Sequence, residues 1–209
     1  FSKSLNSEGV IFNSIKSSEG SPTATSLISV TPDGERTMCT HLGACLDLDE
    51  NDIDEEIITD TNICYLEGYL WDPPEAKKAL RKAIYLAKAN NILVSFTLSD
   101  SFCVDRYRDE FLELIKNDID VLFCNEDEIK ALYNSNNINN SIQNVIKYCK
   151  ILVVTKGNKG SEVVSKNNNF IIPPIQVEKV IDKNGAGDAF AAGFLYGLSN
   201  DYELNFCGN

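Results

Sequence analysis

Asn184-Gly185-Ala186-Gly187-Asp188 sets two glycines and a carboxylate in one turn, directly before the apolar run from Ala189 to Leu198. A glycine in a helix interior costs about 1 kcal/mol against alanine, so bare backbone must bring some gain there. Glycines let the chain turn tightly and approach a ligand closely. The free N–H groups of a helix's first turn, helped by its dipole, form an anion site. Gly185, Ala186 and Gly187 can aim their N–H groups at one oxyanion, with Asp188 in the same turn. A carboxylate beside an anion hole suits a reaction in which a hydroxyl loses its proton while negative charge builds nearby. Phosphoryl transfer to an alcohol is such a reaction. The alternative is that the glycines allow close helix packing and Asp188 only caps. The stretch matches neither G-x-x-x-x-G-K-[ST] nor G-x-G-x-x-G.

The preceding chain contains elements able to position that turn. Apolar strands are expected at 63–68, 92–98, 120–125 and 151–157. Helices are expected at 73–91, 104–117, from 126, and at 141–149. In the first of these, Ala76, Ala79, Leu80, Ala83, Ile84 and Ala87 form one stripe at helical spacing behind Pro73-Pro74. Apolar strands alternating with amphipathic helices predict an α/β fold with a mostly parallel sheet covered on both faces. Two β-rich runs around Pro32-Asp33-Gly34 read as a hairpin over 25–40. The runs on either side of the asparagines at 167–169 read as a second hairpin or sheet-edge pair. Residues 46–60 read as a solvated acidic stretch, helical in part, and the asparagine-rich stretch 134–144 as a loop. The helix after Gly185 is expected to be buried.

Ligands of such sheets bind beyond the carboxyl ends of the strands. Gly68, then Thr97, Ser99 and Asp100, then Asn125, Glu126 and Glu128, then Thr155, Lys156 and Gly157 follow the four strands. Helix caps account for some of these. Asn125 with Glu128 has the spacing of a capping box.

Composition narrows the partners. The 209 residues fit one sizeable domain, and 43% hydrophobic content supports a buried core. A net charge of −12 disfavours nucleic acid and anionic membrane as partners, so a phosphate ligand would need a locally positive site. Seven cysteines without a C-x-x-C pair, and one histidine, give no zinc-type cluster. Reduced, buried thiols in a cytoplasmic protein are the expectation. No apolar run approaches the length of a membrane span.

Asp182-Lys183-Asn184-Gly185-Ala186-Gly187-Asp188-Ala189-Phe190 resembles the signature of the ribokinase/adenosine-kinase family, the PfkB-type carbohydrate kinases. Asn125 to Glu128 is similar to that family's Asn-x-x-Glu motif. Thr155 to Gly160 is similar to its Thr-x-Gly-x-x-Gly stretch, and the run from Thr31 to Met38 to its lid hairpin. Residues 65–79 are most similar to bacterial members of the adenosine-kinase type, and the resemblance spans residues 20–209. It implies a ribokinase-like three-layer fold over residues 1–209, incomplete at both ends, with a small β lid near 22–42.

The resemblance also implies roles. Asp188 is the base for the acceptor hydroxyl, and the N–H groups of Gly185, Ala186 and Gly187 are the anion hole. Thr155, Gly157 and Gly160 contact ATP. Asn125 and Glu128 help place Mg2+ through its waters. Asp182 supports a loop that holds a monovalent cation, K+, in some members. Arg36 reaches phosphates or acceptor from the lid, against the alternative of a solvated strand residue. The acceptor is a sugar or nucleoside, adenosine or ribose-like. The expected partners are that small molecule and a second copy of the chain through the lid. A regulatory module that binds nucleotide without turnover is the alternative. Family members begin with a region, holding a glycine pair and an aspartate that grip the acceptor, that these residues lack, so the acceptor is not legible.

Overall fold

The computed structural model describes residues 2–12 and 19–209. Helix α1 (Ser2–Ser7) precedes a hairpin of β1 (Thr25–Val30) and β2 (Arg36–His41), paired antiparallel from Thr25↔His41 to Val30↔Arg36. The turn closes through Gly34 N–H donating to Thr31 O at 2.8 Å, as the Pro-Asp-Gly sequence predicts. The acidic stretch forms two short 3-10 turns and α2 (Glu55–Thr59), capped by Asp54.

The main sheet has six strands in chain order: β3 (Ile63–Glu67), β4 (Leu93–Thr97), β5 (Val121–Asn125), β6 (Ile151–Thr155), β7 (Ser161–Ser165) and β8 (Asn169–Ile172). The first four run parallel and the last two add on antiparallel. The crossovers are α3 (Pro74–Ala89), α4 (Ser101–Asn117), then α5 (Glu126–Tyr133) with α6 (Ile138–Ile146). All six stripe residues of α3 are buried. Strand pleating splits the side chains between two cores. Val94, Phe96, Leu98, Leu122, Cys124, Leu152 and Val154 join the larger core. Val121, Phe123, Ile151 and Val153 join the smaller one, closed by α7 (Ala186–Ser199) and α8 (Leu204–Cys207).

Several expectations are corrected. Helix α6 begins at Ile138, three residues before the expected start, because Asn137 caps it by accepting from Asn140 N–H; part of the asparagine-rich stretch is therefore helical. Helix α4 begins at Ser101 because Asp100 caps it from Cys103 N–H at 2.6 Å. Helix α7 buries only Ala191, Phe194 and Gly197, so it is half-covered rather than buried. Cys39 and Cys45 are exposed, while the other five cysteines are buried and all seven are free. Trp71, by contrast, is an ordinary core residue: it is fully buried, its indole N–H donates to Glu110 Oε2 at 3.0 Å and its ring is set edge-on to Phe111.

Candidate active site

The parallel strands end on one edge, and the pleat decides which of their last residues face α7. Glu67 pairs with Thr97, and Asn125 with Thr155, at register positions two residues beyond Tyr65, Phe123 and Val153. Tyr65 lies 6.2 Å from Phe123, and Phe123 lies 5.4 Å from Phe194, ring centre to ring centre. This aromatic chain fixes α7 against the sheet and sets its N-terminus over the strand ends.

Gly185 opens α7 in the left-handed conformation, at φ 70°, where a side chain would be strained. It is the cap position and makes no side-chain capping bond. The N–H groups of Gly185 and Gly187 make no hydrogen bond among the described residues, whereas Ala186 N–H donates to Lys183 O at a long 3.3 Å. A Cβ at Gly187 would meet nothing within 4 Å. Helix packing among the described residues therefore asks for no glycine there. Gly197 differs, because a Cβ there would lie 2.9 Å from Cys207 Sγ. Asp188 is exposed in the first turn.

Glu67 is the site residue that sequence reading passed over. Half-buried at the end of β3, its carboxyl is raised above the usual range by burial and then by the charge of Asp188. The same two carboxylates, after burial, push the Tyr65 phenol up to about 12. Its signal was the period of two from Tyr65 at a strand end, which marks a carboxylate on the face opposite Cys64 and Leu66. That signal says nothing of what lies across the face, because α7 arrives from 120 residues downstream.

Asn125 and Glu128 form the expected capping box. Asn125 Oδ1 accepts from the N–H groups of Asp127 and Glu128, both at 2.9 Å. Glu128 Oε2 accepts from Asn125 N–H at 2.9 Å, and its Oε1 from Asn125 Nδ2 at 2.6 Å. Glu128 is only 5% exposed, and burial lifts its carboxyl to about 7. The Asn125 N–H lowers it; the charges of Asp100 and Asp127 raise it. Among the described residues no three acidic, cysteine or histidine side chains gather to grip a metal directly. A hydrated Mg2+ fits this donor set: hard oxygen donors, an under-compensated carboxylate, and coordination kept largely by water.

Thr155 Oγ donates to Cys124 O at 3.5 Å, and a 3-10 turn follows at Gly157–Lys159. Gly160 has φ 88°, and a Cβ there would lie 2.0 Å from Ile172 O, so only glycine fits. Asp182 accepts from Asn184 N–H at 2.7 Å and shapes the loop before the glycines. Arg36 Nη1 donates to Lys183 O at 2.8 Å, and Lys183 pairs with Glu35. The hairpin tip thus holds the segment that leads into Gly185, and Arg36 engages that backbone.

The whole pattern has relatives. Residues 1–208 match the family model described as pfkB family carbohydrate kinase. A nucleoside kinase of Methanocaldococcus jannaschii is 36% identical over 137 residues, which cover 66% of this chain and 42% of that protein. A 5-dehydro-2-deoxygluconokinase of Listeria innocua is 29% identical over 161 residues, 74% of this chain and 50% of that protein. The chain thus spans half or less of the length of these relatives. The crystal structure of adenosine kinase from Sinorhizobium meliloti superimposes with a TM-score of 0.97 at 40% identity, over 100% of this chain and 64% of that one. The six-stranded sheet, the hairpin and the glycine turn are thus a ribokinase-like arrangement, and the chain belongs to the pfkB family of carbohydrate kinases.

Proposed function

We propose that the protein is the core of a kinase that transfers the γ-phosphoryl group of ATP to a hydroxymethyl group of a nucleoside or ribose-like sugar. The observation that carries this reading is the α7 turn. Among the described residues Gly187 meets no packing need and the N–H groups at 185 and 187 make no hydrogen bond, and Asp188 stands beside them. Nothing in a merely packed helix start asks for all three. The likeness to a nucleoside kinase and to an adenosine kinase favours a nucleoside acceptor.

The chemistry needs little covalent work from the protein, since phosphoryl transfer rests on positioning and charge stabilisation. Asp188 accepts the proton of the acceptor hydroxyl. The N–H groups of Gly185 and Gly187, with that of Ala186 once its long bond to Lys183 O yields, hold the charge on the transferring group. Glu67, beside Asp188 and partly desolvated, offers an acceptor to a neighbouring hydroxyl of the sugar. Thr155, Gly157 and Gly160 shape the turn against the nucleotide. Asn125 and Glu128 order the waters of Mg2+, which when bound neutralises phosphate charge. Asp182 orders the loop that would hold K+.

Among the described residues no helix is long and apolar enough to cross a membrane. A second copy of the chain is proposed to meet this one through the hairpin face of Ile28, Val30 and Met38, which is exposed.

The test is Asp188→Asn assayed with MgATP and a panel of nucleosides and sugars. It should bind ATP as the parent does and lose turnover by about 100- to 10,000-fold, the range of general-base removal. Near-parental turnover would refute the base. Nucleotide binding by the parent with no product from any acceptor would favour a regulatory module.

A further inference from the structure

Lys156 follows Thr155 in the turn assigned to the nucleotide, yet its charge is directed elsewhere. Its Nζ lies 2.5 Å from Glu162 Oε2 on β7. The other oxygen of Glu162 accepts from Asn169 Nδ2, at the start of β8, at 2.9 Å. The Glu162 side chain is 7% exposed and that of Lys156 21%. Glu162 sits in a strand whose neighbours Ser161, Val163 and Val164 are all buried. A carboxylate in such a place is tolerated only when paired and hydrogen-bonded, and an apolar residue there would serve stability as well or better. The pair is therefore better explained by the geometry it holds.

That geometry is the turn from Lys156 to Gly160, and its two ends are secured differently. The Gly160 end is locked by backbone packing, because no Cβ fits between it and Ile172 O. The Gly157 end faces open space, with nothing within 4 Å of where a Cβ would lie. Within the turn, Lys156 N–H donates to Gly160 O at 2.8 Å and Gly160 N–H to Gly157 O at 3.1 Å. These bonds close the turn on itself without tying its open end to the sheet. The Lys156–Glu162 pair supplies a tie to the sheet across six residues, braced by Asn169 from β8; the other pairing of the turn, exposed Lys159 with Glu126 on α5, is long at 3.9 Å.

We infer that Lys156, Glu162 and Asn169 form a positioning network that sets the backbone around Gly157 for nucleotide binding. The inference rests on the proposed kinase reading and deepens it. The network touches neither acceptor nor reacting atoms, so its effect falls on nucleotide affinity alone.

The experiment compares the full chain with Lys156→Arg, Glu162→Gln and the double variant Lys156→Met/Glu162→Gln, which leaves no buried charge unpaired. MgATP affinity is measured by equilibrium dialysis, with KM for ATP and for acceptor, kcat, and melting temperature alongside. Glu162→Gln and the double variant should weaken MgATP about 10-fold, the scale of one misplaced charge-assisted contact, with acceptor KM unchanged. Lys156→Arg should retain affinity to within about 2-fold, since its fork reaches the same carboxylate. A lowered melting temperature with parental ATP affinity in the double variant would overturn the network's role and leave it structural. Failure of the parent itself to bind MgATP would remove the kinase reading, and this inference with it.

Discussion

At Glu128, burial and the charges of Asp100 and Asp127 oppose ionisation while the Asn125 N–H favours it, and the carboxyl settles at about 7. In the unfolded chain it titrates near the ordinary 4.5. The folded state therefore holds that proton more tightly. Its contribution to stability is complete below pH 4.5 and is lost as pH rises toward 7. Glu128→Gln, which cannot ionise, should thus gain on the parent by about 1–3 kcal/mol between pH 4.5 and 7.5. Melting curves of both proteins across that range test this, and a gap that does not change with pH would refute it. The same substitution removes the charge proposed to order the waters of Mg2+. Stability gained at neutral pH with MgATP affinity lost would separate the two roles of this one side chain.

Among the elements, the β6–β7 connection and α7 carry most of the proposed site. The connection turns back so tightly on β8 that Gly160 meets Ile172 O. Gly160→Ala should cost about 3 kcal/mol or more, since left-handed strain and overpacking act together. Denaturant unfolding would show this as a lowered midpoint at unchanged slope. Helix α7 owes its place to Phe194, which is fully buried and set edge-on to Phe123. Its first turn bears on that anchor two helical turns away, so the site's geometry depends on an aromatic contact that makes no chemistry.

For the molecule as a whole, the hairpin and the glycine loop act as one unit. Arg36 and Glu35 both engage Lys183, and Gly34 lies against Val180. These contacts are exposed, so Arg36→Ala should change stability by less than about 1 kcal/mol. It should nonetheless raise acceptor KM several-fold, because it frees the segment leading into Gly185. Steady-state kinetics beside a melting curve would distinguish this from simple loss of fold. The net charge of −12 adds a second property of the whole. Self-repulsion is screened by salt, so raising ionic strength from about 0.02 to 0.2 M should raise the melting temperature. A fall over that range would mean that the exposed ion pairs outweigh the repulsion.

The sequence by itself determined the parallel strands, the α3 stripe, the Pro32-Asp33-Gly34 turn and the capping box at Asn125 and Glu128. Each is written in residues within one or two turns of each other, where periodicity and cap chemistry act locally. It also showed the glycine turn and offered two explanations for it, packing or an anion site. Only the tertiary structure could weigh them, since the space beside Gly187 depends on elements distant in sequence. The same holds for Glu67, whose neighbour Asp188 belongs to a helix about 120 residues downstream, and for Arg36, held 147 residues away at Lys183 O. Local order was legible because hydrogen bonds and side-chain spacing set it within a segment. The convergence of carboxylates and free N–H groups on one sheet edge was not, because it arises from how segments far apart in the chain pack together.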